Sequence, residues 1–123
     1  MDFAPFYWCW FSPDPRMLLF PDEFKTSRSL RKAIREERFE IRIDHDFRST
    51  IEACASVERP TQETTWIERD MIEDYVALHE QGIAHSFEAY DGDELAGGLY
   101  GLSMGSLFFG ESMFHHASEA SKV

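Results

Sequence analysis

The sequence has little of what would staple a secreted mini-domain or anchor a chain in a bilayer. Only two cysteines, Cys9 and Cys54, occur among 123 residues. That is too few for a disulfide framework, and a reduced, cytosolic setting is the simpler reading. No apolar run approaches the roughly 20 residues that cross a membrane as a helix. The opening MDFAPFYWCW is aromatic but has neither a basic n-region nor a small-residue cleavage site, so it does not read as a signal peptide. Basic residues are scarce, 12 Lys and Arg against 23 Asp and Glu, for a formal net charge of −11. Global charge therefore argues against non-specific nucleic-acid binding, while leaving room for a local basic patch. There is no G-x-x-x-x-G-K-[ST] phosphate loop and no G-x-S-x-G nucleophile elbow. His45, His79, His85, His115 and His116 show no i,i+4 pair, and neither cysteine is placed to complete a ligand set, so no metal site is expected.

What is present suits one modest domain with a real core: 43% of the residues are hydrophobic, including eleven Phe, three Trp and four Tyr. SPDPR (12–16) enforces an extended or turning segment, and MLLF (17–20), closed by Pro21, reads as a short strand. Helix periodicity runs from about Ser27 to Glu37, with Leu30, Ala33 and Ile34 on one face. FEIRID (39–44) alternates, with Phe39, Ile41 and Ile43 pointing one way. Ser49 to Glu52 has capping-box spacing and opens a short helix through Ala55. The polar stretch SVERPTQETT reads as a loop. Thr65 to Glu68 is a second capping box, ahead of a helix with Ile67, Met71, Tyr75 and Leu78 on one stripe that stops near Gly82. Three strands follow at hairpin spacing, SFEAY, ELAGGLYGL and SLFFGESMF, which predicts an antiparallel meander. Helices followed by a meander give an α+β class. Ser118 and Glu119 look like the opening of another helix, and the expectation is that the sequence is part of a longer protein.

Two patterns carry candidate chemistry. In FFGESMF, two-residue spacing puts Glu111 on the same strand face as Phe109 and Met113. An unpaired carboxylate buried there would cost several kcal/mol. Either Gly110 marks a bulge that turns Glu111 to water, or Glu111 pairs with an arginine, or it is a functional group at the end of a cleft, placed to hold an amine or relay a proton. On the helix of residues 27–37, Arg28, Arg31, Lys32 and Arg35 recur at i, i+3, i+4 and i+7 opposite the apolar stripe. That is either an ordinary solvated face or a surface for a polyanion such as RNA phosphate. Trp8, Trp10 and Trp66 could stack a base, though tryptophan more often packs in a core.

Four stretches together resemble the leucyl/phenylalanyl-tRNA–protein transferases. They are WFSPDPR (10–16), EACAS (52–56) with TWI (65–67), YVALHEQGIAHSFEAYDGDELAGGLYG (75–101), and SLFFGESMF with ASK (120–122). The resemblance implies transfer of Leu, Phe or Met from aminoacyl-tRNA to the N-terminal Arg or Lys of a protein, tagging it for degradation through the N-degron pathway. It implies a cytoplasmic enzyme without cofactor or metal. It also implies an acetyltransferase-like (GNAT-like) α+β fold with a mixed, largely antiparallel sheet, present only in part. Residues 1–15 would be the end of a small N-terminal domain and residues 16–123 the first part of the catalytic domain. By the same resemblance, Trp66, Leu99, Phe108 and Tyr75 are substrate-binding, with Trp66 near the terminal adenosine and Leu99 and Phe108 in an apolar aminoacyl pocket. Glu111 is the acidic residue beside the reactive centre, and Arg28, Arg31, Lys32 and Arg35 form the tRNA-contacting patch. The family's later Asp-x-Gln motif, proposed to activate the attacking amine, would fall beyond Val123. The alternatives are a tRNA- or partner-binding fragment without activity, or an acetyl-CoA-dependent N-acetyltransferase. The second is disfavoured because the slot after the last strand reads HHASEASK, with no glycine to cradle a pyrophosphate.

Overall fold

Residues 14–56 and 69–123 are described by the computed structural model. Helix α1 spans Arg28–Arg35, and the Ser27 hydroxyl caps it by accepting the Leu30 N–H at 3.1 Å. Leu30 and Ala33 are buried, whereas Ile34, expected on the same face, is half exposed. Strand β1 covers Glu40–Ile43, helix α2 Phe47–Ser56 and helix α3 Arg69–Glu80. Strands β2 (Ala84–Asp91), β3 (Glu94–Met104) and β4 (Leu107–His115) complete the order.

The sheet runs β1-β2-β3-β4 and every pairing is antiparallel. The mixed component of the expected sheet does not occur among the described residues. Both hairpins turn through two residues with glycine first, Gly92-Asp93 and Gly105-Ser106. Each glycine sits at φ +62, where a β-carbon would strain the backbone. Helix α3 ends in a Schellman motif around Gly82 at φ +80. The Ile83 N–H reaches the Leu78 carbonyl and the Gly82 N–H reaches His79.

Two local expectations fail. MLLF forms no strand: residues 17–20 are irregular and largely exposed, and a 3₁₀ turn at Pro21–Glu23 follows. Four apolar residues carry no period of their own, and no strand among the described residues pairs with them. Helix α2 begins two residues before Ser49. Asp46 caps it, its carboxylate accepting both the Ser49 N–H (3.1 Å) and the Ser49 hydroxyl (2.7 Å). The second capping box, the loop of residues 57–64 and Trp66 lie outside the described residues.

Helices α2 and α3 cover one face of the sheet. There Phe47, Ile51, Cys54, Ala84, Tyr100 and Phe114 form the core, with Tyr75 and Leu78 packed against it. The opposite face is only partly covered. The C-terminal segment lays Ala120 against Ala89 and Ala96, so closely that a β-carbon on Gly97 would lie 2.7 Å from that of Ala120. Beyond this strap a row of apolar residues crosses all four strands in register, Ile43, Phe87, Leu99 and Met113. Ile43 and Met113 are exposed.

Candidate functional site

The pairing of β3 with β4 slips at one point. Tyr100 lies opposite Ser112, but Gly101 lies opposite Gly110, which leaves Glu111 as the extra residue of a β-bulge. The bulge breaks the two-residue alternation, so Glu111 does not share a face with Met113 as the sequence suggests. Met113 stands opposite Leu99 on the open face. The Glu111 carboxylate instead accepts the hydroxyl of Tyr75, whose ring packs edge-on against Tyr100 at 5.3 Å on the helix-covered side. Burial, then the negative charge of Glu111, then this hydrogen bond push the Tyr75 phenol up to about 12. Tyr75 is therefore a neutral donor across the physiological range. A bulge and a partner are both present, and the partner is a tyrosine rather than an arginine.

Leu99 and Phe108 belong to the open face. Leu99 pairs in register with Phe87, and the Phe87 ring meets Phe108 edge to face at 5.7 Å. Gly101 makes room for this arrangement, since a β-carbon there would come within 2.7 Å of the Phe108 ring and collide with the Phe109 carbonyl. Beside these aromatics lies a cleft of about 230 Å³ between the sheet and the C-terminal strap. Ile41, Phe87 and Leu99 form one wall, and Ala120, Lys122 and Val123 the other. Phe108 reaches this cleft through Phe87 and does not line it.

Arg28, Arg31, Lys32 and Arg35 are all exposed on α1, and none is in an ion pair among the described residues. The helix is tied to the strap by the Ser29 hydroxyl, which donates to Glu119 Oε1 at 2.9 Å. The structure thus joins Tyr75 to Glu111 and Leu99 to Phe108 through Phe87, and it holds the basic helix against the strap that closes the cleft.

A family model described as leucyl/phenylalanyl-tRNA protein transferase matches residues 18–123. The chain belongs to this family. It is 53% identical to the leucyl/phenylalanyl-tRNA–protein transferase of Dechloromonas aromatica, over 93% of this chain and 49% of that protein. To the proteins of the same name from Azotobacter vinelandii and Pseudomonas aeruginosa it is 55% and 56% identical, in each case over 93% of this chain and 50% of the relative. The chain spans about half the length of the curated relatives it matches.

Two further clusters in this member of the transferase family escaped the sequence reading. Glu88 is buried under α2. Its Oε1 accepts the Ser86 hydroxyl (2.6 Å), the Asp46 N–H (3.1 Å) and the Thr50 hydroxyl (3.3 Å), while its Oε2 has no hydrogen-bond partner among the described residues. Where β1 meets β2, Asp44 Oδ2 lies 2.7 Å from His85 Nδ1, and the Gly82 carbonyl lies 3.0 Å from His85 Nε2. With an acceptor at each ring nitrogen, His85 satisfies both only as the imidazolium. The hydrogen bond to Asp44 accordingly raises the His85 pKa. Burial pushes the Asp44 carboxyl up, but hydrogen bonds from His85 and the Ser86 N–H outweigh it and hold the group below its usual range. The signals were faint: Asp44 and His85 are 41 residues apart, and nothing in either local pattern joins them.

No helix among the described residues is long and apolar enough to cross a membrane. Among the same residues no group of three or more His, Cys, Asp or Glu could hold a metal ion.

Proposed function

We propose that the chain is part of an aminoacyltransferase that moves Leu, Phe or Met from aminoacyl-tRNA to the N-terminal Arg or Lys of proteins, marking them for degradation in the cytoplasm. The observation that carries this reading is identity above 50% to proteins of that name across 93% of the chain. Two features support it. The cleft beside Leu99 is apolar and small, suited to an aliphatic or aromatic side chain. A pocket of this kind separates shapes differing by one methylene only weakly, in keeping with a mixed Leu and Phe preference. The basic face of α1 offers phosphate four cations that have no ion-pair partner among the described residues.

The reaction is aminolysis of an ester. The acceptor's amine attacks the carbonyl carbon that joins the amino acid to the tRNA ribose, a C–N bond forms, and the ribose oxygen leaves with a proton. Holding amine and ester together supplies much of the acceleration in such a step. By the family resemblance Glu111 is the amine-binding residue, with Tyr75 orienting it by donating to its carboxylate; both lie on the helix-covered side, across the sheet from the Leu99 cleft. Glu111 is a positioning or amine-binding group rather than a lone general base. Leu99 and Phe108 shape the aminoacyl pocket, and Trp66 stacks near the terminal adenosine. The fold reading that goes with this function is acetyltransferase-like, with residues 1–15 closing a small N-terminal domain and residues 16–123 opening the catalytic one.

The test mixes the chain with radiolabelled Leu-tRNA and a peptide beginning with Arg, alongside the full-length Pseudomonas aeruginosa relative. Label reaching the peptide with the relative, and tRNA binding by both proteins, support the reading. Absence of tRNA binding by this chain overturns it.

A further inference from the structure

The cleft is lined by two charged residues, Lys122 and Glu88, but the Glu88 carboxylate is held under α2 on the other side of the sheet by Ser86, Asp46 and Thr50, which leaves Lys122 as the charged group at the cleft. Five of its side chains named above are apolar, and the sixth, Lys122, stands on the strap at its edge. An apolar cavity with a single cation at the rim suits a ligand with an apolar body and an anionic end. At about 230 Å³ the cavity is smaller than the roughly 300–1,000 Å³ of pockets that enclose drug-sized ligands. A side chain fits inside it while a nucleotide does not, so the anion must remain at the mouth.

Lys122 is available for that role. Its side chain is 60% exposed, and its ammonium lies 3.9 Å from Glu119 Oε2, too far for a hydrogen bond. Glu119 is largely buried, but the Lys122 end of the pair is exposed and makes no hydrogen bond to it, so the ammonium can turn to a better-placed anion. Glu119 is engaged elsewhere, since its Oε1 accepts the Ser29 hydroxyl of α1. Ser29 lies one helical turn from Lys32, a member of the basic face. The contacts thus form a continuous route from the cations of α1, across the Ser29–Glu119 seam, to Lys122 and the mouth of the cleft. On a chain of net charge −11, such a local run of cations is the electrostatic guide open to a polyanion.

We infer that Lys122 binds the phosphate nearest the aminoacylated end of the tRNA, fixing the ester at the mouth of the Leu99 cleft. This rests on the aminoacyltransferase reading and adds to it a binding residue. A lysine ammonium on a flexible stem is suited to phosphate as a point charge.

The experiment uses 3′-leucylamido-adenosine, whose amide resists transfer, with and without a 5′-phosphate, and measures both affinities by titration calorimetry. For the unmodified chain the phosphate is expected to strengthen binding about tenfold. In Lys122→Met that gain disappears while the phosphate-free compound binds as before, and Lys122→Arg keeps the gain. Retention of the gain in Lys122→Met, or an equal loss for both compounds, overturns the assignment. If the phosphate-free compound binds the unmodified chain but the phosphate adds nothing, Lys122 loses its role and the aminoacyl cleft stands. If neither compound binds, both readings fall.

Discussion

Glu88→Leu is expected to destabilise the fold severely, because of what it strands rather than what it removes. Glu88 Oε1 gathers three donors under α2: the Ser86 hydroxyl, the Asp46 N–H and the Thr50 hydroxyl. Thr50 has a second acceptor, the Asp46 carbonyl at 3.0 Å, and would keep a partner. Ser86 is fully buried, and the Asp46 N–H lies at the start of α2 where the helix supplies no acceptor. Each buried donor left unsatisfied costs about 1–3 kcal/mol, so two of them cost roughly 3–4 kcal/mol. That is a large share of the ~5–15 kcal/mol by which a domain is stable. With a urea slope of about 1–3 kcal/mol per molar, the unfolding midpoint should fall by roughly 2 M. Glu88→Gln keeps an oxygen for all three donors and should lose much less, about 1 kcal/mol. In the Ser86→Ala background Glu88→Leu should cost visibly less than in the unmodified chain, because one stranded donor is already gone. Urea unfolding followed by circular dichroism reads all five proteins, Ser86→Ala included. Glu88→Leu within about 0.5 kcal/mol of the unmodified chain would refute the reasoning.

Other expectations follow from the same geometry. Arg31→Gln with Arg35→Gln should weaken tRNA binding and flatten the plot of log affinity against log salt by about two phosphate contacts' worth; an unchanged slope removes α1 from the interface. The Asp44–His85 contact should make stability depend on pH. His85 has a raised folded pKa, so its contribution is fully present below about pH 6.5 and fades as pH rises through the raised value. Asp44 has a lowered one, so its contribution is present above about pH 3.9 and is lost as pH falls through the folded value. The stability gap between the unmodified chain and His85→Ala should therefore be widest near pH 5–6 and narrow in alkali, and a gap constant from pH 5 to 9 contradicts the charged pair. Tyr75→Phe, which removes the hydroxyl donated to Glu111, should lower kcat/KM for peptide transfer by about tenfold when made at the matching tyrosine of a full-length relative, and Glu111→Gln should lower it at least as far.

What was legible in the sequence was local. The α1 helix, the Tyr75 and Leu78 part of the α3 stripe and the three-strand meander follow from periods and turn residues, and Gly82, Gly92 and Gly105 sit where the chain turns. What was not legible depends on partners far along the chain. The bulge at Glu111 exists only in the register between β3 and β4, so two-residue counting within β4 wrongly groups Glu111 with Met113. The two faces of β2 show the same limit. Ser86 and Glu88 are the polar alternates of SFEAY, and they are buried because α2 arrives with Asp46 and Thr50 to receive them. Ile43, in the apolar set of β1, is exposed because the strap does not reach it. Tyr75 and Glu111 were both singled out, but only the fold shows that one donates to the other.

The claim on which most of this turns is that the Leu99 cleft takes the aminoacyl side chain. A tRNA charged with a diazirine-bearing leucine, bound to the chain, irradiated and mapped by mass spectrometry, reads that contact directly. Adducts on Phe87 and Leu99, suppressed by an excess of phenylalanyl-tRNA, are the expected result. Adducts confined to residues outside the cleft, or none despite bound tRNA, would contradict the account.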